Sequence, residues 1–325
     1  MNISNYQKEI NPEIKKELLE FEDVCFEKAG KFKNEEYKKD NKNNEIIFYG
    51  LEGGRSSVSD SKSNSIGYFL KLNGKYIFLE AGIDIKKVEP KILKNIDILL
   101  ISHNHPDHLG ISLGNLIEII TNCGYKKKGF ILAPFNPEKK GLDDYHKNQI
   151  DEFIEIKPNE SKKFDNITIQ ALPAHHGDKK DNVGFKIKTE VEGKPLVISY
   201  TSDTAIADEK GNVYEDLINA HKNSNILMSN ICSAFFSSKY ERFLKKHLAL
   251  IGCYILAKEI KPDILFLTHP CSVSSSKEIK EKTVSLMKKL IDIPVFFEEP
   301  KLKLKIKKDS YEVIQNKNKF IIPRK

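Results

Sequence analysis

Between residues 103 and 108 the chain reads His-Asn-His-Pro-Asp-His, three imidazoles and a carboxylate within six residues. The residues just before, Ile96-Asp97-Ile98-Leu99-Leu100-Ile101-Ser102, form a short apolar run of β-forming character and read as a buried strand. The cluster therefore sits in the loop at the C-terminal end of that strand. Leu113, Leu116, Ile117 and Ile120 then repeat at helical spacing, so the loop is expected between two packed elements. Imidazole and carboxylate are the donors that zinc and similar divalent ions take. Four of them on one loop lower the entropic cost of assembling a site. The chain must adopt a fold that holds this loop between packed elements.

Three more strand-to-loop junctions end on the same chemistry. Ile167-Thr168-Ile169-Gln170-Ala171-Leu172-Pro173 alternates and runs into Ala174-His175-His176-Gly177-Asp178. Leu196-Val197-Ile198-Ser199-Tyr200 runs into Thr201-Ser202-Asp203-Thr204. Ile264-Leu265-Phe266-Leu267 ends on Thr268-His269-Pro270. The order and content of these junctions resemble the signature of the metallo-β-lactamase-fold hydrolases. The resemblance implies an α/β chain folded as a four-layer αββα sandwich with two mixed β-sheets. Carried over by residue, it implies one ion on His103, His105, His176 and Asp203, and a second on Asp107, His108, Asp203 and His269, with Asp203 bridging. At the third junction His175 and His176 are alternatives, because adjacent strand residues point to opposite faces. His176 is preferred, since Pro173, His176 and Asp178 fit the P-x-x-H-x-D run of phosphodiesterase-like members.

The same resemblance narrows the branch. His247-Leu248 is read as opening an apolar helix, with Ile251, Ile255, Leu256 and Ala257, that stops at Ile260-Lys261-Pro262 before the His269 strand. In ribonuclease Z and related phosphodiesterases a histidine at this place faces the scissile phosphate. It implies His247 as the group that positions the phosphate or protonates the leaving oxygen, and Asp107 as a catalytic group orienting a metal-activated hydroxide. Two departures from the family pattern stand out. Glu80, in Phe78-Leu79-Glu80-Ala81-Gly82, replaces an aspartate that normally supports the site. Only 26 residues separate His176 from Asp203, too few for the arm with which ribonuclease Z grips transfer RNA.

Composition sets the remaining bounds. With 325 residues, 39% of them hydrophobic, the chain can bury a full core. No apolar stretch approaches the ~18–20 residues of a membrane-spanning helix. The first residues lack the basic-then-apolar layout of a secretory signal. Cys25, Cys123, Cys232, Cys253 and Cys271 form no C-x-x-C pair and are odd in number, as expected of reduced, packing thiols. A cytoplasmic location is the expectation. The net charge of +7 lies wholly in residues 301–325, where nine Lys or Arg face Asp309 and Glu312, while the other 300 residues balance. Lys301 to Lys307 alternates strictly, and reads as an edge strand with Leu302, Leu304 and Ile306 inward and lysines outward. A nucleic-acid face is therefore not favoured.

Along the chain, residues 1–45 read as a polar, helical appendage beginning near Pro12, 46–300 as the catalytic domain, and 301–325 as a basic strand and tail. The appendage could pack on the domain or on a second subunit, so a homodimer is a candidate assembly. Gly50 to Ser57 is Gly-rich but lacks the Lys-Ser/Thr of a phosphate-binding loop, leaving Arg55 as an anion contact. Ile66–Leu72 and Lys75–Leu79 flank Asn73-Gly74, a hairpin signal. His146 and His221, among charged residues and without ligand spacing, are read as solvated surface. The expected function is a metal-dependent phosphodiesterase using two divalent ions, zinc first and manganese or iron as alternatives, on a nucleotide or other small phosphodiester. The alternatives are a lactonase or thioesterase-type hydrolase of carbonyl substrates, a ribonuclease Z-like endoribonuclease, or a metal-binding module with little turnover.

Overall fold

A computed structural model describes residues 2–18, 44–49, 66–82, 88, 95–109, 129–136, 148–177, 181–233, 246–270, 276–299 and 302–325. The expected helix over 113–120, the loop around Arg55, His146, Cys25, Cys123 and Cys271 lie outside them.

Two mixed sheets lie face to face. The first has nine strands in the order β17-β16-β15-β1-β2-β3-β4-β5-β6. These are β1 (Asn44–Phe48), β2 (Tyr68–Leu72), β3 (Lys75–Leu79), β4 (Ile98–Leu100), β5 (Phe130–Ala133), β6 (Glu152–Glu155), β15 (Lys303–Ile306), β16 (Ser310–Gln315) and β17 (Asn318–Pro323). The second runs β14-β13-β11-β10-β9-β8-β7, with β12 beside β11. Its strands are β7 (Ser161–Phe164), β8 (Ile167–Pro173), β9 (Val183–Val191), β10 (Lys194–Tyr200), β11 (Ile226–Ser233), β12 (Leu248–Ala249), β13 (Ile264–Thr268) and β14 (Val295–Phe297). In each sheet an antiparallel portion gives way to a parallel one: β3, β4, β5 and β6 are parallel neighbours, as are β10, β11, β13 and β14.

Side-chain alternation explains the layering. In β1, Ile46 and Phe48 enter the core between the sheets, and Ile47 enters the cluster on the outer face of the first sheet; in β2, Leu70 and Phe69 divide the same way. Strands covered on both faces read as continuous apolar runs. Aromatic pairs stitch the sheets together, Phe48 to Phe266 at 5.0 Å and Tyr68 to Tyr200 at 5.7 Å between ring centroids. Against the outer face of the second sheet pack α3 (Glu215–His221), α4 (Leu250–Ile260) and α5 (Lys277–Leu290). The short α2 (Pro106–Leu109) belongs to the histidine loop. The architecture is the αββα sandwich expected from the sequence.

The N-terminal residues join this outer layer. Helix α1 (Ile3–Lys8) and the helical residues 12–18 bury Tyr6, Ile10 and Leu18 against α4 and α5, with Glu9 paired to Lys258 and Glu17 to Lys282 and Lys289. Asn73-Gly74 forms the expected β2–β3 turn with both residues at positive φ (48° and 80°), as a two-residue hairpin loop requires.

Three expectations are corrected. The strand at Lys303–Ile306 is not an edge: β1 flanks it on one side and β16 on the other, because β16 and β17 extend the sheet further. Leu302, Leu304 and Ile306 do point inward, yet Lys303 is buried too, neutralised by Glu45 at 2.9 Å. His221 is fully buried, not solvated, because it ends α3 on the same inward face as Leu217 and Ile218. The helix after His247 starts three residues later than read, at Leu250, since Leu248 and Ala249 pair with Ile231 and Ser233 of β11. Its end is as expected, at a left-handed Lys261 (φ 52°) before Pro262.

Candidate metal centre

β4, β8, β10 and β13 all deliver the chain to the same rim of the sandwich, where loops carrying His103 to His108, His176, Asp203 and His269 converge. Two groups of donors result. His103, His105, His176 and Asp203 each offer one ligand atom within 4.8 Å of the others, and Asp107, His108 and His269 do the same. Asp203 stands between them. Its Oδ2 lies 3.4 Å from His108 Nε2, 3.9 Å from His176 Nε2 and 4.0 Å from His103 Nε2, while its Oδ1 lies 3.5 Å from His269 Nε2. His269 Nε2 is also 3.5 Å from Asp107 Oδ2. All are buried except His105, which is half-buried.

In three of the rings a neighbouring group fixes which nitrogen faces the centre. His176 donates Nδ1–H to the Lys246 carbonyl at 2.6 Å, which leaves the Nε2 lone pair free. His108 turns Nδ1 toward Glu80 Oε1 at 3.3 Å, and His103 turns Nδ1 toward Ser102 Oγ at 3.0 Å. The inward nitrogens crowd together: His103 Nε2 to His105 Nδ1 is 2.8 Å, and His108 Nε2 to His269 Nε2 is 3.1 Å. Donor atoms on a tetrahedral ion with ~2.0–2.1 Å bonds sit about 3.3 Å from one another. The spacing thus fits shared coordination.

Charge points the same way. Burial alone would depress the His108 imidazole, but the carboxylates of Asp203 and Glu80 outweigh it and hold it well above the ordinary histidine value. Burial would raise Asp203, and His269, His108 and His247 instead hold it well below the carboxylate range. His103 and His176 are lowered by burial and so favour the neutral, metal-ligating form. The site demands positive charge at its centre and offers neutral donors at its wall. A divalent cation suits both.

The supporting residues explain how a carboxylate stays buried here. Asn230 donates from Nδ2 to Asp203 Oδ1 (3.1 Å) while Thr268 Oγ1 donates to Asn230 Oδ1 (2.8 Å). Asn182 donates to the Asp203 carbonyl at 2.6 Å. Glu298, its carboxyl pushed by burial up to about 7, accepts the His269 backbone N–H at 2.6 Å. Glu80, Ser202 and His269 all have positive φ (63°, 56° and 58°), so three strand ends beside the site hold strained turns. Gly82 lets two backbones touch: a Cβ there would stand 1.7 Å from the Asp107 carbonyl oxygen.

Of the residues expected from the sequence, His103, His105, Asp107, His108, His176, Asp203 and His269 come together. His247 joins them, Nδ1 at 3.5 Å from Asp203 Oδ2 and its ring 4.7 Å from that of His176, one quarter exposed at the opening. His175 turns away to Asp216. Asn230, Asn182 and Glu298 were missed. A buried asparagine at a strand end, as in Met228-Ser229-Asn230, was the one available signal, and Glu298 had none.

A family model for the beta-lactamase superfamily domain matches residues 75–270. No curated protein sequence matches the chain. Among solved structures, the metallo-beta-lactamase fold protein YhfI from Bacillus subtilis is 17% identical, with 81% of this chain and 99% of that chain covered, at a TM-score of 0.61. A diphosphatase from the PhnP family is 14% identical over 87% and 99% of the two chains, at 0.55. The long form of ribonuclease Z from yeast is 15% identical over 81% of this chain and 42% of that one, at 0.57.

Proposed function

The chain belongs to the beta-lactamase superfamily domain family, and from that premise we propose that it is a dinuclear metallohydrolase that cleaves a nucleotide or other small phosphodiester. One ion would be held by His103, His105, His176 and Asp203, the other by Asp107, His108, Asp203 and His269. Zinc suits the donor set best, with manganese or iron as substitutes. Such ions supply a nucleophile from water at neutral pH and Lewis acidity at a phosphoryl oxygen.

The protein's own groups would do the rest. Asp107 Oδ2, beside His269 Nε2, can accept a proton from, and so orient, an attacking water. His247 carries the choice of phosphoryl over carbonyl chemistry. Its Nδ1 is buried and turned toward Asp203 while the side chain is 24% exposed, so Nε2 would be the nitrogen offered to an incoming substrate, where an Nε2–H could be given to a leaving alkoxide. The solved relatives described as a diphosphatase and a ribonuclease Z act on phosphorus centres, which supports the reading. The interval between His176 and Asp203 is largely taken up by the β9–β10 hairpin, which turns at Glu192-Gly193; this favours a small substrate over a gripped RNA.

Substituting His247 by alanine tests the choice. Hydrolysis of bis(p-nitrophenyl) phosphate should fall by about 10²–10⁴-fold with metal content unchanged. Unchanged phosphodiester turnover, with a lactone or thioester hydrolysed faster, would transfer the activity to carbonyl substrates.

A further inference from the structure

His175 stands next to His176 but takes no place among the converging donors. Its main chain and its ring instead grip both ends of the excursion that follows Asp203. Where the excursion leaves, the His175 N–H donates to Thr204 Oγ1 at 2.8 Å and its carbonyl accepts from the Ala205 N–H at 2.6 Å. Where it returns, the Tyr214 ring stacks on the His175 ring, 3.7 Å between centroids and 12° between planes. The Asp216 carboxylate receives Nε2–H, with its two oxygens at 3.0 and 3.1 Å. Between these points the excursion is tied to itself. Ala207 bridges to Val213, and the Asp208 carboxylate accepts from the Lys210 and Asn212 backbones and from Asn212 Nδ2. Its tip is docked on the N-terminus, where Ile3 N–H donates to the Gly211 carbonyl.

We propose that His175, with Asp216 and Tyr214, is a positioning clamp that holds His176 and Asp203 in mutual register and thereby sets the affinity and geometry of the metal centre. This rests on the metal reading above. His176 and Asp203 arrive on different strands, β8 and β10, separated in the sheet by β9. Beyond those strands the Lys246 carbonyl orients the His176 ring and Asn230 the Asp203 carboxylate separately, but the two loops keep a common register only if something joins them, and every rotation frozen in advance is one that ion binding need not freeze. His175 joins them: its main chain, one peptide from one ligand, is hydrogen-bonded to the two residues after the other, and its ring, held by Tyr214 and Asp216, keeps that main chain in place. The clamp is partly open to water, with the His175 side chain 31% and Asp216 54% exposed. A hydrogen-bonded pair that exposed adds little to folding stability. Its effect should therefore appear at the centre and not in the fold.

The test compares wild type, His175→Ala, Asp216→Ala, the double variant and Asp216→Glu as full-length proteins stripped of metal. Zinc and cobalt(II) affinity is read by competition with a chromogenic chelator, the cobalt absorption spectrum reports ligand geometry, and thermal unfolding of the stripped proteins reports the fold. Each alanine variant should bind about 10–100-fold more weakly, as for other groups that orient metal ligands, with an altered cobalt spectrum and little change in melting temperature. The double variant should lose no more than the weaker-binding single, and Asp216→Glu should recover part of the loss. Unchanged affinity and spectrum in both singles, additive losses in the double, or losses that track a matching fall in stripped-protein stability would overturn the clamp. A wild type that takes up neither ion would refute the metal reading itself, and the clamp with it.

Discussion

Glu80 and Gly82 show how single positions decide whether the histidine loop can exist. Glu80, at φ 63°, reaches across to the next strand, where Oε2 accepts the Ser102 N–H at 3.3 Å and Oε1 faces His108 Nδ1 at 3.3 Å. The family pattern has an aspartate at this place, and in this chain the longer glutamate reaches both partners. Shortening it by Glu80→Asp should withdraw both contacts and free the His108 ring, weakening zinc binding by about 10–100-fold; equilibrium dialysis against buffered zinc measures it. Gly82 allows no such tuning. Any Cβ there collides with the Asp107 backbone, so Gly82→Ala must displace the loop. We expect it to abolish binding of the second ion or to prevent soluble expression, checked by metal content per chain. The run His103 to His108 was legible as ligands because the donors are contiguous. Asn230 and Glu298 were not, because their roles depend on which strand ends lie side by side.

At the scale of elements, α3 is the instructive case. Its sequence, Glu215-Asp216-Leu217-Ile218-Asn219-Ala220-His221, looks half polar, and charged neighbours suggested a solvated histidine. The inward face is set by Leu217, Ile218 and His221 at helical spacing, a pattern visible only once Leu217 is taken as the anchor. Burial, with Lys186 nearby, pushes His221 down to about 3, and neither ring nitrogen has a hydrogen-bond partner among the described residues. The unfolded chain binds this proton near pH 6.5 and the folded protein does not. Stability from this group is therefore complete above pH 6.5 and is lost as pH falls toward 3. The loss at pH 4 is on the order of 3 kcal/mol. In His221→Leu, unfolding midpoints in urea should decline less between pH 6.5 and 4 than in wild type. An equal decline in both proteins would show that His221 is not the titrating group. The clamp on the other end of α3 gives this short helix a second connection to the site.

For the whole molecule, the sequence conveyed the layers better than the sheet borders. Apolar strands covered on both faces, and four strand ends bearing donors, pointed to the sandwich and to one active rim. That β15 lies inside a nine-stranded sheet was not legible, because Lys303 and Lys305 alternate as solvent-facing residues do, and their pairing with Glu45 and Glu312 across the ladder is seen only once the strands are side by side. The basic charge of residues 301–325 is accordingly bound up in the sheet: Glu312 alone meets Lys305, Lys307 and Lys319. Leu302, Leu304, Ile306, Tyr311 and Val313 are buried there. At about 1.5–3 kcal/mol each, they rival a whole protein's margin of roughly 5–15 kcal/mol. Deleting 301–325 should leave a chain without near-ultraviolet circular dichroism or cooperative unfolding. A folded truncated protein would show that β15, β16 and β17 are dispensable.

The converging histidines and aspartates are proposed to form a two-ion centre that hydrolyses phosphodiesters. The direct measurement is hydrolysis of bis(p-nitrophenyl) phosphate by the full-length protein, stripped of metal and then titrated with zinc or manganese, alongside Asp203→Ala. Turnover should vanish on stripping, return as about two ions per chain are added, and be absent in Asp203→Ala at every metal concentration. Two bound ions without phosphodiester turnover, or turnover indifferent to stripping and to Asp203, would contradict the proposal.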